Sequence, residues 1–299
     1  MVKHASSAGV IRETRRDQVF LAVLLVISAF ILVIELYPLI FVVSASFSDS
    51  DAISLGRVYL LPVNPSLDGY RMLLKEKDIL TGFKNSVIYL AVGTTVNMLL
   101  TMLLAFPLSR REMPGRNIIT FFVALTMYVS GGLIPTYLMV SNLGMVDTLW
   151  GIIVPNAIST TNMIIMRTYF QNSIPESLYE AAMLDGSNYT KYLLRVVLPL
   201  SMPIVAVIGL YYGVGHWNNY FDALIYLRST EKQSLQLVLR NILLANQVNS
   251  GDGSYSEASK LGVTIKYSVI VFSCIPMMIA YPFVQRFFIK GVMIGAIKG

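Results

Sequence analysis

The 299-residue sequence is too apolar for an ordinary soluble domain, because 55% of its residues are hydrophobic and only 13% are charged. Soluble domains carry about a quarter charged residues, and the mean hydropathy here is +0.63. The composition therefore predicts an all-α integral membrane protein that crosses the bilayer several times. The net charge of +6 is dispersed among apolar segments, which argues against nucleic-acid binding, and the single cysteine excludes a disulfide within the chain.

Six apolar segments follow one another, each near or above the roughly 20 residues that cross the hydrocarbon core. Their bounds are 19–43, 85–108, 117–140, 149–170, 196–216 and 262–285. Gly131, Gly132 and Pro135 predict a broken or closely packed helix in the third segment. Lys and Arg are concentrated in segments that are cytoplasmic when the N-terminus is inside. We therefore predict six transmembrane helices in the cell inner membrane, with both termini in the cytoplasm.

The other segments are expected to be tails and loops of one transmembrane domain. The predicted divisions are a cytoplasmic tail over 1–18, the six-helix domain over 19–285 and a second cytoplasmic tail over 286–299. Within the domain, residues 171–199 form an inner loop and residues 217–261 a large periplasmic segment. The later part of that segment, 241–258, contains polar and glycine-rich sequence, so we expect a flexible outer loop there.

The inner loop has the composition of a helix followed by a turn. Ser173 and Glu176 have the spacing of a capping box, with Pro175 in the first turn, so a helix is predicted to begin here. Gly186 is placed to end that helix in the left-handed conformation, with a positive φ.

A second helix is predicted to follow this turn, capped by Asn188 or Ser187. Pro199 and Pro203 then break the chain where it enters the fifth apolar segment. The inner loop is therefore predicted to be a helix–turn–helix elbow at the cytoplasmic face.

Two readings of the elbow remain open from its residues alone: an interfacial helix lying on lipid headgroups, or a helix seated in a protein partner. Tyr179 and Met183 lie one turn apart and are predicted to form a small exposed anchor. Glu176, Glu180 and Asp185 make the first helix acidic. Anionic headgroups would repel such a helix, so its charge favours a protein partner.

The stretch EAAMLDGSNYTKYLLRVVLPLSMP at 180–203 resembles the EAA loop of ATP-binding-cassette (ABC) importer permeases. The matching residues are Glu180, Ala181, Ala182, Asp185, Gly186 and Pro199. Ser187 departs from the alanine that is commonest after the glycine. Similarity to the maltose-type, MalG-like class extends to two further stretches, WNNYFDALIYL at 217–227 and the C-terminal QRFFIKGVMIGAIKG. A subgroup that handles polysaccharide-derived oligosaccharides, including alginate, has sequences similar to residues 127–148, MYVSGGLIPTYLMVSNLGMVDT.

The resemblance implies a type I ABC importer permease fold and a division of labour. A second homologous permease would complete a pathway for oligosaccharide through the membrane lipid. Two ABC ATPase subunits would hold ATP and Mg, and a periplasmic or extracellular sugar-binding protein would deliver the sugar. Closure of the ATPase pair would be transmitted through the elbow and would drive alternating access of the pathway. This chain would be non-catalytic and bind no cofactor or metal. In agreement, its sequence has no Gly-Lys dipeptide and hence no Walker A loop.

The resemblance also implies roles for particular residues. Those expected to couple to the ATPase are Tyr179, Glu180, Ala181, Ala182, Met183, Asp185 and Gly186. Those expected to reach the ATPases from the tail are Gly295, Lys298 and Gly299. Separately, polar residues within the apolar segments either bond a neighbouring helix or line a sugar path; these are Asn97, Asn156, Thr160 and Asn162.

The outer end of the fifth segment is rich in aromatic residues. His216 is expected at the membrane interface rather than in a proton relay. Trp217, Tyr220 and Phe221 are expected to form an aromatic belt, with sugar-facing platforms as the alternative.

Two other functions were compared with import driven by a partner ATPase. A self-sufficient secondary transporter or channel predicts inverted repeats and paired ionisable residues within the membrane. A membrane enzyme predicts histidines or carboxylates clustered near one face. Neither pattern is clear in the sequence, which has only two histidines. The ABC importer permease is therefore favoured, and the secondary transporter or channel is the alternative.

Overall fold

The computed structural model describes residues 14–249 and 257–296, and the regular elements within these ranges are helical. The first half contains α1 (Arg15–Ser46), α2 (Ser50–Ser54), α3 (Asp68–Lys75), α4 (Lys77–Ser109), α5 (Arg116–Leu125), α6 (Leu133–Asn142), α7 (Leu149–Ile153) and α8 (Thr160–Ser173). The second half contains α9 (Glu176–Leu184), α10 (Tyr189–Tyr192), a π-helical turn (Leu193–Val197), α11 (Leu198–Leu200), α12 (Met202–Asn218), α13 (Phe221–Tyr226), a 3-10 turn (Thr230–Lys232), α14 (Leu235–Asn249) and α15 (Glu257–Ala296).

Three of the described helices are long and apolar enough to cross a membrane: α1, α4 and the Gly262–Pro282 part of α15. They cover the first, second and sixth predicted segments, because each of these segments is one sustained apolar run. Pro38 in α1 and Pro107 in α4 lie inside their helices without ending them.

The third and fourth predicted segments are each divided into two shorter helices. The chain leaves helical geometry over 126–132, where Gly132 has a φ of 80° that favours glycine. This is the break that the glycines and proline of the third segment predict. A second break, over 154–159, separates α7 from α8. Ser159 then caps α8 by accepting a hydrogen bond from the Asn162 N–H.

The fifth predicted segment is sharply bent. The helical stretch Tyr189–Leu200 meets α12 at an angle of 85°, and Ser201 lies at the break. Pro199 and Pro203 flank this residue. Because proline has no N–H to donate, both residues remove helical hydrogen bonds here. The predicted proline break is therefore present, and the two arms together could make a fourth span.

The predicted flexible loop over 241–258 is wrong for most of its length. Helix α14 continues through Asn249, and α15 already begins at Glu257. Leu235 and Val238 of α14 are buried against Trp217 and Val269, so apolar contacts fold this segment onto the bundle. Residues 250–256 lie outside the described residues.

The predicted cytoplasmic tail over 286–299 is helical in its described part, and its cytoplasmic location stays a prediction. Helix α15 continues through 286–296, since no proline follows Pro282 to end it. The remaining residues, 297–299, lie outside the described residues.

Helix α4 is the centre of the bundle and packs against α12, α8 and α14. The main core forms where the C-terminal half of α4 meets α8 and α12, and it includes Phe106, Met163, Met166, Tyr192 and Ile208. The elbow formed by α9 and α10 lies at this end of α4. The elbow therefore rests directly on the principal core.

Candidate functional site

The turn of the elbow is built by Gly186, which has a φ of 73° as its position predicted. The Gly186 N–H donates to the Met183 carbonyl at 3.0 Å, and the Ser187 N–H donates to the Ala182 carbonyl at 2.9 Å. These two bonds form a Schellman motif that closes the end of α9. No described atom lies within 4 Å of a Cβ built on Gly186. Glycine is therefore required by the backbone conformation rather than by crowding.

The two helices of the elbow are capped differently. Asn188 caps α10 by accepting a hydrogen bond from the Lys191 N–H at 2.8 Å, as predicted. The capping box predicted for α9 is wrong, because Ser173 is still the last residue of α8 and Pro175 occupies the N-cap position of α9. The connection between these two helices is too short for Ser173 to cap the second one.

The predicted anchor is also wrong, since Tyr179 and Met183 pack inward against the main core and Ala182 is buried beside them. The opposite face of α9 is exposed. Its most exposed apolar side chain is Leu184, at 89%. The exposed face presents Glu180, Ala181, Leu184 and Asp185. The residues predicted to couple to an ATPase thus divide between an inner and an outer face.

Arg110, directly after α4, lies beneath the elbow and is only 7% exposed. Its guanidinium carbon is 4.5 Å from the ring centre of Tyr179 and 5.4 Å from that of Tyr192. Its Nη2 lies 3.6 Å from Oε1 of Glu176. Sequence reasoning missed this role, because Arg110 is one of the Lys and Arg residues that indicate only membrane topology when the sequence is considered alone.

A tyrosine pair joins the two arms of the elbow. The hydroxyl of Tyr179 donates to the hydroxyl of Tyr189 at 3.0 Å, and the two rings are stacked with centres 6.0 Å apart. This hydrogen bond, with a smaller contribution from burial, raises the pKa of Tyr179 to about 12. The hydrogen bond and the stacked rings together hold α9 and α10 in one arrangement.

The residues predicted to line a sugar path do not converge on one surface. Asn97 and Asn162 are buried, at 2% and 8% exposure. Asn156 is exposed and donates to Oδ2 of Asp222 at 3.1 Å, and Thr160 lies 3.0 Å from the hydroxyl of Thr126. Contact of these residues with sugar stays a prediction.

The residues at the C-terminal end of α12 are more buried than predicted. His216 is only 8% exposed and lies against Gly93 of α4 rather than at an interface. Trp217 is 2% exposed, and its indole N–H donates to the Ser273 carbonyl at 3.0 Å. Tyr220 and Phe221 remain exposed, so the predicted aromatic belt is reduced to these two rings.

One buried hydroxyl that sequence reasoning missed connects three elements. Tyr212 on α12 lies 2.7 Å from the Thr101 hydroxyl on α4. The same hydroxyl accepts a hydrogen bond from the Ser159 N–H, just before α8, at 2.9 Å. A tyrosine surrounded by apolar neighbours in the sequence carried no signal of this contact.

Asp147 joins two connecting segments at the opposite end of the bundle from the elbow. It accepts hydrogen bonds from the Lys232 side chain at 2.8 Å and from the Ser229 hydroxyl at 2.7 Å. The Arg228 N–H adds a third bond at 3.0 Å. These bonds, that of Lys232 foremost, hold the pKa of the Asp147 carboxyl well below its ordinary value.

The predicted tail contacts are only partly within the structure. Gly295 lies in the last turns of α15, whereas Lys298 and Gly299 lie outside the described residues. Over 14–249 and 257–296, no group of three or more His, Cys, Asp or Glu side chains could hold a metal ion.

The described helices include three that are long and apolar enough to cross a membrane, and comparison with known proteins identifies the class of membrane protein. No protein-family model matches the chain. It is 41% identical to the polygalacturonan/rhamnogalacturonan transport system permease protein YtcP of Bacillus subtilis (strain 168), over 88% of this chain and 92% of YtcP. It is 36% identical to protein LplC of the same organism, over 89% of this chain and 90% of LplC.

A solved structure agrees with these relatives. A bacterial ABC transporter involved in the import of the acidic polysaccharide alginate matches with a TM-score of 0.84 and 34% identity, over 92% of this chain and 99% of that chain. The chain belongs to the sugar ABC transporter permeases, in the MalG-like carbohydrate class. It is thus a non-catalytic permease subunit of a sugar importer, and the resemblance read from the elbow sequence is confirmed.

Proposed function

We propose that this permease imports oligosaccharides derived from polysaccharides and is driven through its elbow by separate ATPase subunits. Two ABC ATPases hold ATP and Mg, and each grips the elbow of one permease. A second homologous permease completes the pathway, and an external binding protein delivers the sugar. ATP-driven closure shifts the pathway between inward-facing and outward-facing states by favouring one of them.

The observation that carries this proposal is the exposure of Leu184 at the tip of the elbow, at 89%. Exposed leucines elsewhere on the apolar helices can face lipid, but this one stands among acidic side chains, Glu180 and Asp185. Anionic headgroups repel such a surface. An apolar side chain on a turn closed by Gly186 fits a groove in a protein partner.

The proposed substrate class is inferred from the substrates for which similar proteins are named. YtcP is named for the transport of polygalacturonan and rhamnogalacturonan, and the matched solved structure for the import of the acidic polysaccharide alginate. We propose that this chain takes oligosaccharides of the same kind, from alginate or another polysaccharide. A panel of such oligosaccharides, tested for stimulation of ATP hydrolysis by the reconstituted complex with its binding protein, would identify the substrate.

The elbow proposal is tested by Leu184→Glu in the purified complex of both permeases and both ATPases. We expect the ATPase subunits to dissociate during purification, because a carboxylate would be placed in an apolar contact. Leu61→Glu is the matched control, since Leu61 is 77% exposed in the connection that leads to the far end of α4. Full retention of the ATPases by Leu184→Glu would contradict the proposal.

Two further proposals concern the C-terminus and the segment around the connection between α14 and α15. We propose that the C-terminal residues from Gly295 onward reach the ATPase pair, and that residues 241–258 face the binding protein. Deleting 295–299 should raise the ATP hydrolysed per sugar transported. Deleting 250–256 should slow transport while the membrane complex still assembles, and normal transport by either variant would contradict the corresponding proposal.

A further inference from the structure

The elbow has one charged contact with the transmembrane bundle that is almost fully buried. We propose that Arg110 is a positioning residue that makes α4 move together with the elbow. This inference rests on the proposed function, because it assumes that the ATPases move the elbow. It adds the route by which that movement reaches the membrane-spanning part of the chain.

Arg110 contacts both arms of the elbow at once. Tyr179 belongs to α9 and Tyr192 to α10, and the guanidinium lies within 4.5 and 5.4 Å of their ring centres. Glu176, in the first turn of α9, adds an ion pair at 3.6 Å. A planar guanidinium is suited to such a site because it stacks on aromatic faces, which a lysine ammonium does not reproduce.

The surroundings of Arg110 make this contact hard to replace. Within the described part of the chain, neither its Nε nor its Nη2 has a hydrogen-bond partner, and both atoms are sealed from solvent. The charge therefore depends on the two ring faces and on Glu176. Separation of the elbow from α4 would remove the two ring faces and the carboxylate that surround this charge.

The backbone next to Arg110 is tied to the bundle. Its N–H donates to the Pro107 carbonyl, in the last turn of α4, at 3.0 Å. The carbonyl of Leu108, two residues before Arg110, accepts a hydrogen bond from Nε of Arg167, on α8, at 2.9 Å. A displacement of the elbow is therefore passed to the end of α4 and from there to α8.

Helix α4 extends this connection towards the opposite end of the bundle. Its Thr101 lies 2.7 Å from the Tyr212 hydroxyl, and its Asn97 lies 3.1 Å from Nε2 of His216. Both partners belong to α12. Movement of α4 would therefore also displace α12, to which these two contacts join it.

The test uses the complete importer in proteoliposomes and measures the ATP hydrolysed per sugar transported. Arg110→Lys keeps the charge and loses the planar stack. Since a desolvated cation–π contact can change an equilibrium by a factor of about 30, we expect this ratio to rise about threefold to tenfold, with the ATPases retained. Arg111→Gln is the matched control, because Arg111 is the exposed neighbour, and it should leave the ratio unchanged.

A second pair of variants examines the other side of the contact. Tyr179→Leu removes the ring face and should reproduce the effect of Arg110→Lys. Tyr179→Phe keeps the ring and loses only the hydrogen bond to Tyr189, so it should raise the ratio less than Tyr179→Leu does. The double variant Arg110→Lys/Tyr179→Leu should be no worse than either single one, because both remove the same contact. Additive effects would overturn the proposal.

A distance measurement separates positioning from simple structural support. Spin labels at Leu103 on α4 and Ser177 on α9, both exposed, are introduced after Cys274→Ser. The complex should give one narrow distance distribution with and without a non-hydrolysable ATP analogue, and Arg110→Lys should broaden it on addition of the analogue. A distribution that stays narrow would overturn the proposal, as would loss of the ATPases from Arg110→Lys.

The elbow function and the role of Arg110 can be contradicted separately. Retention of the ATPases by Leu184→Glu contradicts the proposed elbow function itself. If Leu184→Glu releases the ATPases but Arg110→Lys leaves both the ratio and the distances unchanged, the elbow function stands and only the role of Arg110 is wrong.

Discussion

Nδ2 of Asn97 on α4 lies 3.1 Å from Nε2 of His216 on α12, and both side chains are almost fully buried. The ring lies flat against α4 where Gly93 has no side chain. Glycine thus allows α4 and α12 to approach closely enough for this bond.

Gly93→Ala should destabilise the bundle. A Cβ at this position would lie 2.5 Å from Nε2 of His216, and forcing an extra methyl into a packed site costs about 1–3 kcal/mol. We expect a lower melting temperature for the purified complex. The double variant Gly93→Ala/His216→Ala should recover part of the loss, since the obstructing ring is gone.

The matched control for this prediction is Gly215→Ala on α12, where no described atom lies within 4 Å of the new Cβ. Its melting temperature should equal or exceed that of the parent, because alanine favours helix over glycine. Equal melting temperatures for Gly93→Ala and Gly215→Ala would contradict the packing account.

Gly186→Val should damage the elbow without disturbing insertion into the membrane. A β-branched residue at this positive φ is disfavoured by roughly 1–2 kcal/mol, and the direction of α10 changes with it. We expect lower retention of the ATPases, or hydrolysis that is no longer stimulated by the sugar-loaded binding protein. Gly56→Val is the matched control: Gly56 has a φ of 65° and is equally uncrowded, but it precedes α3, away from the elbow. Normal retention and stimulation in Gly186→Val would contradict this role.

Tyr212→Phe should loosen the junction of α4, α8 and α12. The substitution removes a buried hydroxyl that bonds Thr101 and the Ser159 N–H. Leaving buried partners unsatisfied costs about 1–3 kcal/mol each, so we expect a clearly lower melting temperature. Tyr211→Phe, on the same helix and 49% exposed, is the matched control and should change it little. A Tyr212→Phe protein that melts like the control would show that these bonds add no stability.

Asp147→Asn should remove a pH-dependent contribution to the stability of the folded protein. This contribution comes from the end of the bundle opposite the elbow. The folded-state pKa of this carboxyl is lowered, by Lys232 foremost, so its contribution is present above the ordinary value of 3.8 and is lost as the pH falls below it. We expect the variant to melt earlier than the parent at pH 7 and the difference to shrink below about pH 4. Lys232→Met should behave in the same way. A difference that does not depend on pH would contradict the account.

Local rules in the sequence predicted the parts of this protein that depend on neighbouring residues. The long apolar runs became α1, α4 and α15, because a span requires only sustained hydrophobicity. Gly186 and Asn188 became the turn and the cap that their residue types favour. The proline pair Pro199 and Pro203 marked the bend before α12.

The tertiary structure decided what depends on residues distant in the sequence. The face of α9 that turns outward is set by Tyr179, which packs on Arg110, so the predicted anchor was wrong. His216 is buried because Gly93, on another helix, leaves room for its ring. No local pattern carries such information, since the contacts exist only once the helices pack together. The sequence therefore determined the long apolar helices, the turn of the elbow and the family, while packing alone placed Arg110 beneath the elbow.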